Sequence, residues 1–419
     1  MINTTSWVDI NPNSDFSIHN IPFGIYKNSD GKIQAGTALG TYVIDLNYLQ
    51  TQFFFNELEL PDDIFTQTTL NNFIGLGKKK TSAVRHRIIE LFTSDNQEIQ
   101  GIAEHKDACL IPMADVEMLM PVHVPNYTDF YSSIEHATNV GTMFRDPDNA
   151  LFPNWKHLPV GYHGRASSII VSGQNIKRPK GQSKSPDAEI PTFGPTKRLD
   201  FELEMAFITC KETSLGTSIT TQEAEDAIFG FVLFNDWSAR DIQVWEYVPL
   251  GPFLAKNFAS SISPWIVTLD ALDTFRVAGP KQDPEVLPYL SYEGSKNFDI
   301  NLEVSIKPDG GEAMIVSNSN FKYMYWNICQ QLAHHTVNGC NIEVGDMYAS
   351  GTISGPTPNS YGSMLELAWK GTKPIQLPNG SSRSFINDGD TVTMKGFAEE
   401  NGIRVGFGEV STKVIPAEQ

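Results

Sequence analysis

The segment FELEMAFIT, Phe201 to Thr209, constrains the fold of this chain more than any other. Successive side chains of a β-strand point to opposite faces, so the apolar residues at positions 201, 203, 205 and 207 face one way while Glu202 and Glu204 face the other. Neighbouring carboxylates raise each other's proton affinity unless a cation lies between them. The segment therefore predicts a strand whose acidic face is either exposed to solvent or occupied by a cation.

The chain after about residue 120 favours sheets, because most of it alternates with period two or turns at Gly and Pro. Two helices are expected there. One follows Thr220, which has capping-box spacing to Glu223, and ends at Gly230. The other runs from about Asn320 to Asn338, with Gly339 as its stop. We therefore predict a mainly β (α+β) fold.

The first part of the chain reads as a separate unit. It contains mixed short segments, an expected helix around Ser82 to Thr93, and three lysines at positions 78 to 80 that suit a solvated helix entry. A proline-marked connector from Pro112 to Pro125 then precedes a richer supply of aromatic and Gly residues. These features predict two domains, residues 1–118 and 119–419.

Charge and cysteine usage exclude several classes of partner. The chain has 31 Lys and Arg against 49 Asp and Glu, a formal charge of −18, which disfavours nucleic acid and anionic membranes. The longest dense apolar run, Phe229 to Phe234, is too short to span a bilayer, and the N-terminus has no apolar leader. The four cysteines are far apart and form no CxxC pair. We expect a folded protein of the cytoplasm.

A second acidic position, Asp236, falls where the apolar strand GFVLFND ends. If the next turn continues as a helix, Arg240, Gln243 and Tyr247 share one of its faces. That face is either part of a site or an ordinary solvated one. Lys256 lies in the apolar stretch PLGPFLAKNF, where a lysine usually requires a partner.

The segment from Asn126 to Asp146 supplies Asp129, Tyr131, His136 and Arg145 without a clear helical or strand period, which suits a loop that carries a site. A lone histidine is more often structural, but the polar groups around His136 favour a chemical role. Farther along, MLELAWK reads as a strand in which Glu366 faces away from the core or into a cleft.

Several enzyme classes lack their signatures. The sequence has no GxSxG, HExxH, GxxxxGK[ST] or strand-linked GxGxxG motif. His334 and His335 are adjacent on an expected helix and point in different directions, so local packing explains them better than metal binding. Carboxylates without a cysteine partner favour Mg²⁺ or Ca²⁺ over zinc.

Longer segments carry a resemblance to a known family in uninterrupted order from about residue 120 to residue 400: NYTDFYSSIEHATN, NWKHLPVGYHGRASS, LDFELEMAF, FNDWSARDIQVWEYVPLGPFLAKNF, HHTVNGC, GTISGP and GSMLELAWKG. In these segments the chain resembles the fumarylacetoacetate hydrolase family. The resemblance implies a small SH3-like N-terminal barrel, a C-terminal catalytic domain built as a β-sandwich or β-roll, and a homodimer. It also implies metal-dependent hydrolysis of the carbon–carbon bond of 4-fumarylacetoacetate to fumarate and acetoacetate, the final step of tyrosine and phenylalanine degradation.

The resemblance also implies roles for individual positions. It assigns a divalent cation, Ca²⁺ or Mg²⁺, to four carboxylates: Asp129, Glu202, Glu204 and Asp236. His136 matches the general base, and Glu366 matches the acid that orients it. The groups that match stabilisers of developing negative charge are Arg240, Gln243 and Lys256. The positions that match substrate contacts are Tyr131, Arg145, Tyr162, Gln243, Tyr247 and Thr352. A second, structural cation site would involve Asp236, Lys256 and Ser260, where the family usually has threonine in place of Ser260.

Three alternatives remain open at this point. The first two are a related acylpyruvate hydrolase and a keto-acid decarboxylase or isomerase of the same superfamily, and the third is a non-catalytic metal-bound scaffold. The His136 and Glu366 pair and the long N-terminal unit favour the hydrolase. The sequence departs from the family pattern at Asn126, usually Asp, and at Ile134 and Glu135, which replace more polar or basic residues.

Overall fold

The computed structural model describes residues 4–418, and most of its regular elements are β-strands, as the sequence predicted. The N-terminal part forms a five-stranded antiparallel sheet, here called the N-terminal sheet. In spatial order its strands are Leu110–Pro112, Tyr42–Asp45, Ile33–Leu39, Phe23–Lys27 and Glu117–Leu119.

An eight-stranded mixed sheet, here called the central sheet, lies at the middle of the molecule. Its main path runs through Gly161–His163, Tyr127–Phe130, Met347–Ala349, Leu203–Thr209, Ile228–Asp236, Ser260–Ile262 and Ile169–Val171. Val267–Thr268 pairs beside this path with Ile228–Asp236. The pairing of Met347–Ala349 with Tyr127–Phe130 is parallel, so this sheet joins chain segments that are distant in sequence.

The C-terminal sheet has five strands in the order Met314–Asn320, Asn301–Lys307, Thr391–Glu400, Ile403–Ile415 and Ile176–Lys177. The two-stranded sheets pair Lys180–Ser183 with Thr192–Pro195, Leu199–Asp200 with Ser238–Ala239, Arg276–Val277 with Asn297–Phe298, and Ile375–Gln376 with Ser382–Arg383. The α-helices are Leu46–Thr51, Asn71–Ile74, Lys78–Phe92, Ala103–Cys109, Ile134–Phe144, Arg240–Glu246, Leu269–Leu272, Ile328–Thr336 and Met364–Leu367.

The central sheet is buried on both faces. From the strand Leu203–Thr209, Leu203 and Met205 pack with the C-terminal sheet, whereas Ala206 and Ile208 pack with the N-terminal unit. The last strand of the N-terminal sheet ends at Leu119, and the next strand of the chain, Tyr127–Phe130, belongs to the central sheet. The division at residue 118 remains a prediction, because the N-terminal unit shares one hydrophobic core with the central sheet.

Two expected helices are shorter than the sequence suggested. Thr220 and Glu223 do form the expected pair, since the Glu223 amide donates to Thr220 Oγ1 over 3.3 Å. Only a 3₁₀ turn follows, because the chain from Ile228 onward pairs as a strand with Leu203–Thr209. The helix expected from Asn320 begins only at Ile328, where Asn327 and Gln330 form a capping box.

Two further local predictions were wrong. The segment from Asn126 to Asp146 is regular, with the strand Tyr127–Phe130 followed by the helix Ile134–Phe144. The segment predicted as a strand around Glu366 instead forms the short helix Met364–Leu367. Both helices begin after a serine whose side chain accepts from the third helical amide, which is the local reason that they form.

Other expectations concern lysines, cysteines and membrane spans. The helix expected around Ser82 to Thr93 is present and already begins at the lysines, as Lys78–Phe92. All four cysteines are free thiols, and three of them are buried. Between residues 4 and 418, no helix combines the length and apolar character needed to cross a bilayer.

Candidate active site

Four carboxylates converge near the ends of neighbouring strands inside the central sheet. Glu204 lies on the strand Leu203–Thr209, Asp236 ends the adjacent strand Ile228–Asp236, and Asp129 comes from the strand Tyr127–Phe130. Glu202 directly precedes the first of these strands. One oxygen from each residue lies within 4.8 Å of the others, and all four side chains are buried. The solvent-exposed alternative for the acidic strand face is therefore wrong.

This acidic cluster is short of positive charge. Burial, reinforced by the neighbouring carboxylates, raises the pKa of Asp129 and of Glu204 well above the ordinary carboxyl range. Asp129 Oδ1 and Glu204 Oε1 are buried without a hydrogen-bond partner. Buried anionic oxygens with no donor are costly, and carboxylate oxygens are the ligands that Mg²⁺ and Ca²⁺ prefer. The residues present therefore fit a divalent cation.

Two basic side chains contact the cluster. Lys256 Nζ donates to Glu202 and, over 2.7 Å, to Asp236 Oδ2, which supplies the partners that this buried lysine requires. A terminal nitrogen of Arg240 lies 2.7 Å from Glu202 Oε1. Burial opposes ionisation of Glu202, but the charges of Lys256 and Arg240 outweigh it and lower the pKa of that carboxyl. Glu202 is therefore an anion held by the protein itself.

His136 and Glu366 form a buried pair beside this cluster. His136 Nδ1 lies 2.7 Å from Glu366 Oε2. Asn139 donates to the other Glu366 oxygen over 2.9 Å, and Ser354 and Ser363 donate over 2.9 and 2.8 Å. Burial opposes ionisation here too, but His136 and these donors lower the pKa of Glu366. An anionic Glu366 fixes the Nδ1–H tautomer, which leaves Nε2 of His136 able to accept a proton.

The helix Arg240–Glu246 carries two of the three predicted donors, Arg240 and Gln243. Arg240 donates to Gln243 Oε1 over 3.2 Å, so the two side chains share one face, as the spacing predicted. Tyr162 donates to Asp236 Oδ2 over 3.2 Å. Burial, followed by the Glu366 and Glu202 carboxylates, raises the pKa of Tyr131, and the centre of its ring lies 5.2 Å from that of the His136 ring.

Two predicted substrate contacts lie apart from the cluster. Tyr247 follows the end of the helix Arg240–Glu246 and is 50% exposed. The Arg145 guanidinium donates to Ala150 O and lies 4.0 Å from the centre of the Phe152 ring. Within residues 4–418, neither side chain forms a hydrogen bond with a carboxylate of the acidic cluster.

The remaining predicted residues lie close to the cluster. Thr352 is buried and follows Gly351, whose amide donates to Glu204 over 3.0 Å. Ser260 donates to Asp236 Oδ1 over 3.0 Å, beside Lys256. All three residues proposed for a second cation are therefore in contact through Asp236, but that cation remains a prediction.

Sequence reasoning missed the residues that support the site. They are Asn139, Asp200, Ser354 and Ser363. Ser363 could have been found, because Ser363 and Glu366 have the spacing of a capping box. Asp200 and Ser354 carry no comparable local signal, since their partners lie elsewhere in the sequence.

The adjacent histidines behave as the sequence indicated. His334 Nδ1 lies 3.1 Å from the Tyr289 hydroxyl, and His335 Nδ1 lies 3.3 Å from the Tyr348 hydroxyl. Burial lowers the pKa of His335 to about 4. Each histidine therefore has its own tyrosine partner outside the acidic cluster.

Comparison with known proteins relates the whole chain to one family. The model of the fumarylacetoacetase N-terminal domain matches residues 19–121, and that of the fumarylacetoacetate (FAA) hydrolase C-terminal domain matches residues 126–415. The chain is 51% identical to the fumarylacetoacetase of Caenorhabditis elegans over 99% of each chain. It is 50% identical to the human fumarylacetoacetase over 98% of this chain and 99% of the relative.

A solved structure shows the same fold at low identity. The fumarylacetoacetate hydrolase of the psychrophilic Exiguobacterium antarcticum matches with a TM-score of 0.53 and 17% identity, over 94% of this chain and 99% of that one. This likeness concerns the fold. The family follows from the two matching domain models and from the relatives that share half of the residues of this chain. The chain belongs to the fumarylacetoacetate hydrolase family.

Proposed function

We propose that this protein hydrolyses the carbon–carbon bond of 4-fumarylacetoacetate, releasing fumarate and acetoacetate in the final step of tyrosine and phenylalanine degradation. The observation that carries the proposal is identity at about half of all positions with fumarylacetoacetases over essentially the whole chain. The arrangement of His136, Glu366 and the acidic cluster supplies the chemistry that such a reaction needs.

His136 acts as the general base. Glu366 holds the Nδ1–H, so Nε2 takes a proton from the water whose oxygen adds to a substrate carbonyl carbon. A positioned base of this kind contributes a factor of roughly 10² to 10⁴. The tight hydrogen bonding of Glu366 keeps the imidazole in one orientation while it holds the proton.

Arg240, Gln243 and Lys256 act on the charge that develops. Water addition converts a carbonyl into an oxyanion, and cleavage of the carbon–carbon bond leaves its electron pair on the enolate of acetoacetate. The proton held on His136 then passes to that enolate carbon, so atoms and charge balance. Each preorganised donor contributes on the order of 3 kcal/mol to such a transition state.

A divalent cation would be held by Asp129, Glu202, Glu204 and Asp236. When ionised, these four carboxylates outnumber the two basic groups that contact them, Lys256 and Arg240, by two charges. When bound, the cation would supply Lewis-acid polarisation of the substrate oxygens. We propose Ca²⁺ or Mg²⁺, on the basis of the all-oxygen donor set.

Substrate contacts are a further part of the proposal. The side chains near the acidic cluster that we propose for this role are Tyr131, Tyr162 and Thr352. We propose that Arg145 and Tyr247 turn toward the same region when substrate binds.

The test is turnover by the purified protein. Fumarylacetoacetate is incubated with protein and Ca²⁺ or Mg²⁺, and loss of the diketone absorbance is followed together with the appearance of fumarate. We expect turnover that stops when the cation is chelated. Absence of turnover in the presence of either cation would refute the proposal. Release of carbon dioxide, or isomerisation without fumarate, would favour a decarboxylase or isomerase.

Assembly as a homodimer is a second part of the proposal. Apolar side chains at the end of the helix Arg240–Glu246 are exposed, among them Val248, Leu250 and Phe253. Leu250 is 97% exposed, and contiguous apolar surface of this kind is typical of interaction sites. Light scattering should give twice the chain mass, and Leu250→Asp should yield monomer. Leu215→Asp, at another exposed leucine, is the matched control. A monomeric wild-type protein would contradict this part.

The remaining parts of the proposal are the form of the N-terminal sheet and the cellular compartment of the protein. An SH3-like form for the N-terminal sheet is supported by its strand order, since Phe23–Lys27 pairs with both Ile33–Leu39 and the last strand, Glu117–Leu119. A cytoplasmic location is supported by four free cysteines. Cell fractionation followed by detection of the protein would test the location.

A further inference from the structure

Asp200 lies between the two halves of the candidate site and was assigned no role by the sequence. We infer that Asp200 is a positioning residue, which fixes the proposed oxyanion donor Arg240 relative to the base pair of His136 and Glu366. The inference rests on the proposed function, because it concerns how that site is held together.

Asp200 is fully buried and is bound on both oxygens. It ends the short strand Leu199–Asp200, which pairs with Ser238–Ala239 just before the helix of Arg240. Oδ2 accepts from Arg240 Nε over 2.8 Å and from the Leu365 amide over 3.0 Å. Oδ1 accepts from the Met364 amide over 2.7 Å. One carboxylate therefore bridges two elements that are far apart in the chain.

The two amides belong to the start of the helix Met364–Leu367. Amides in the first turn of a helix have no partner within the helix, so another group must satisfy them. A helix of four residues has little stability of its own. Glu366 is the residue that follows these amides, and its Oε2 lies 2.7 Å from His136. The position of the helix start therefore sets the position of the carboxylate that orients the proposed base.

On its other side, Asp200 completes the set of partners around the Arg240 guanidinium. Nε is bound by Asp200, one terminal nitrogen donates to Gln243 over 3.2 Å, and the other lies 2.7 Å from Glu202. Two hydrogen bonds, from Nε and one terminal nitrogen, together with the ion contact to Glu202, restrict the planar guanidinium to one orientation. Without Asp200 the group would be held only by Gln243, on its own helix, and by Glu202.

Asp390 provides a matched control outside the site. It is also fully buried, and it binds Arg383 through two bonds of 2.7 and 2.8 Å. It also accepts from the Asn387 amide over 2.9 Å. Neither Asp390 nor Arg383 is hydrogen-bonded to a residue proposed for catalysis. Loss of its charge therefore reports the structural cost of breaking a buried Asp–Arg pair.

The test compares Asp200→Asn with Asp390→Asn in the full-length protein with cation. Because a misplacement of about 1 Å can cost roughly 10²-fold in rate, we expect kcat of Asp200→Asn to fall by about that factor. KM should change much less, since the substrate contacts are left in place. Asp390→Asn should keep kcat within about 2-fold, while its melting temperature falls.

A coupling measurement separates positioning from stability. In a Glu366→Gln background, Asp200→Asn should cost much less in kcat than it does in the wild type, because both changes disturb the same base. An equal cost in both backgrounds would overturn the inference. So would a normal kcat in Asp200→Asn.

Folding of the variant is checked by circular dichroism, and Asp200→Glu serves as a second variant that keeps the charge. Asp200→Glu moves the carboxylate by one methylene group, so we expect a folded protein with lowered kcat. A normal kcat in Asp200→Glu would overturn the inference. Wild-type protein without turnover would instead refute the proposed function on which the inference rests.

Discussion

The two buried acidic regions of the site differ in how the protein satisfies their oxygens. Glu366 accepts hydrogen bonds from four side chains: His136, Asn139, Ser354 and Ser363. In the acidic cluster, by contrast, Asp129 and Glu204 each have a buried oxygen without a donor. Glu366 and Glu204 are both glutamates and both fully buried, so burial alone does not distinguish them.

The difference appears in their ionisation. The pKa of Glu366 is lowered because His136 and neighbouring donors overcome the cost of burial, whereas burial and like charges raise the pKa of Glu204. The protein thus stabilises one carboxylate completely and leaves the other to a group from solution. A site that binds a cation must keep ligand oxygens free, and a residue that orients a base must not move.

The largest expected effect comes from removing the base. His136→Ala should lower kcat by about 10²- to 10⁴-fold, because it removes the imidazole that accepts the proton from water. Cation affinity should change little, since His136 is not among the four clustered carboxylates, whereas the unfolding free energy should fall because Glu366 loses a buried partner. Steady-state kinetics and calorimetric titration with Ca²⁺ measure both properties. His334→Ala, which removes a histidine bound to Tyr289, is the control. Near-normal turnover of His136→Ala would remove this histidine as the base.

Cation binding should stabilise the protein through the acidic cluster alone. A ligand at about 100 times its Kd adds roughly 2.7 kcal/mol to the unfolding free energy. We expect Ca²⁺ or Mg²⁺ to raise the melting temperature of the wild type but to have little effect on Asp129→Asn. Differential scanning fluorimetry with and without chelator measures this. An equal rise in both proteins would place the cation elsewhere.

The sequence predicted more of the acidic cluster than of the surroundings of Glu366. Period-two alternation was sufficient to place Glu202 and Glu204 on the same face of a strand, and the strand ending at Asp236 was equally visible. The approach of Asp129 was not, because it depends on parallel pairing of Tyr127–Phe130 with Met347–Ala349, more than two hundred residues away. The resemblance to a family assigned Asp129 and His136 their roles, but not their geometry.

The helix of Glu366 was missed for a different reason. MLELAWK alternates well enough to read as a strand, and a helix of four residues is too short to produce a helical period. Only Ser363 identifies its start, through the bond that its side chain accepts from the Glu366 amide. The supporting donors Asn139 and Ser354 are recruited by tertiary packing, which no local pattern encodes.

The comparison predicts that replacing glutamate by glutamine changes the unfolding free energy in opposite directions at Glu204 and at Glu366. In chelator at pH 7, Glu204→Gln should raise the unfolding free energy by about 1 to 3 kcal/mol, because the raised pKa of Glu204 means that folding must protonate this carboxyl, and the amide removes that cost. Glu366→Gln should lower it by a similar amount, because charge-assisted bonds are lost. Urea unfolding measures both. If both variants change the unfolding free energy in the same direction, hydrogen-bond donors do not account for the difference between the two carboxylates.

The pH dependence of the second variant follows from the direction of its pKa shift. A carboxyl whose folded pKa lies below its unfolded value adds stability above the unfolded pKa and loses it as the pH falls through the folded one. The lowered pKa of Glu366 therefore predicts that the deficit of Glu366→Gln persists at pH 4.5 and disappears only in more acidic solution. A deficit that has already vanished at pH 4.5 would contradict the lowered pKa.

The smallest expected effect concerns one hydroxyl. Ser354 donates to Glu366 and accepts from the Gly362 amide over 2.9 Å, whereas the equally buried hydroxyl of Ser317 has no partner. Ser354→Ala should therefore cost about 1 to 2 kcal/mol in urea unfolding, and Ser317→Ala should cost almost nothing. Ser354→Ala should also lower kcat, since Glu366 then holds His136 less firmly. Equal stability in the two variants would mean that the donors around Glu366 are interchangeable with water, and the contrast between the two acidic regions would then lose its physical basis.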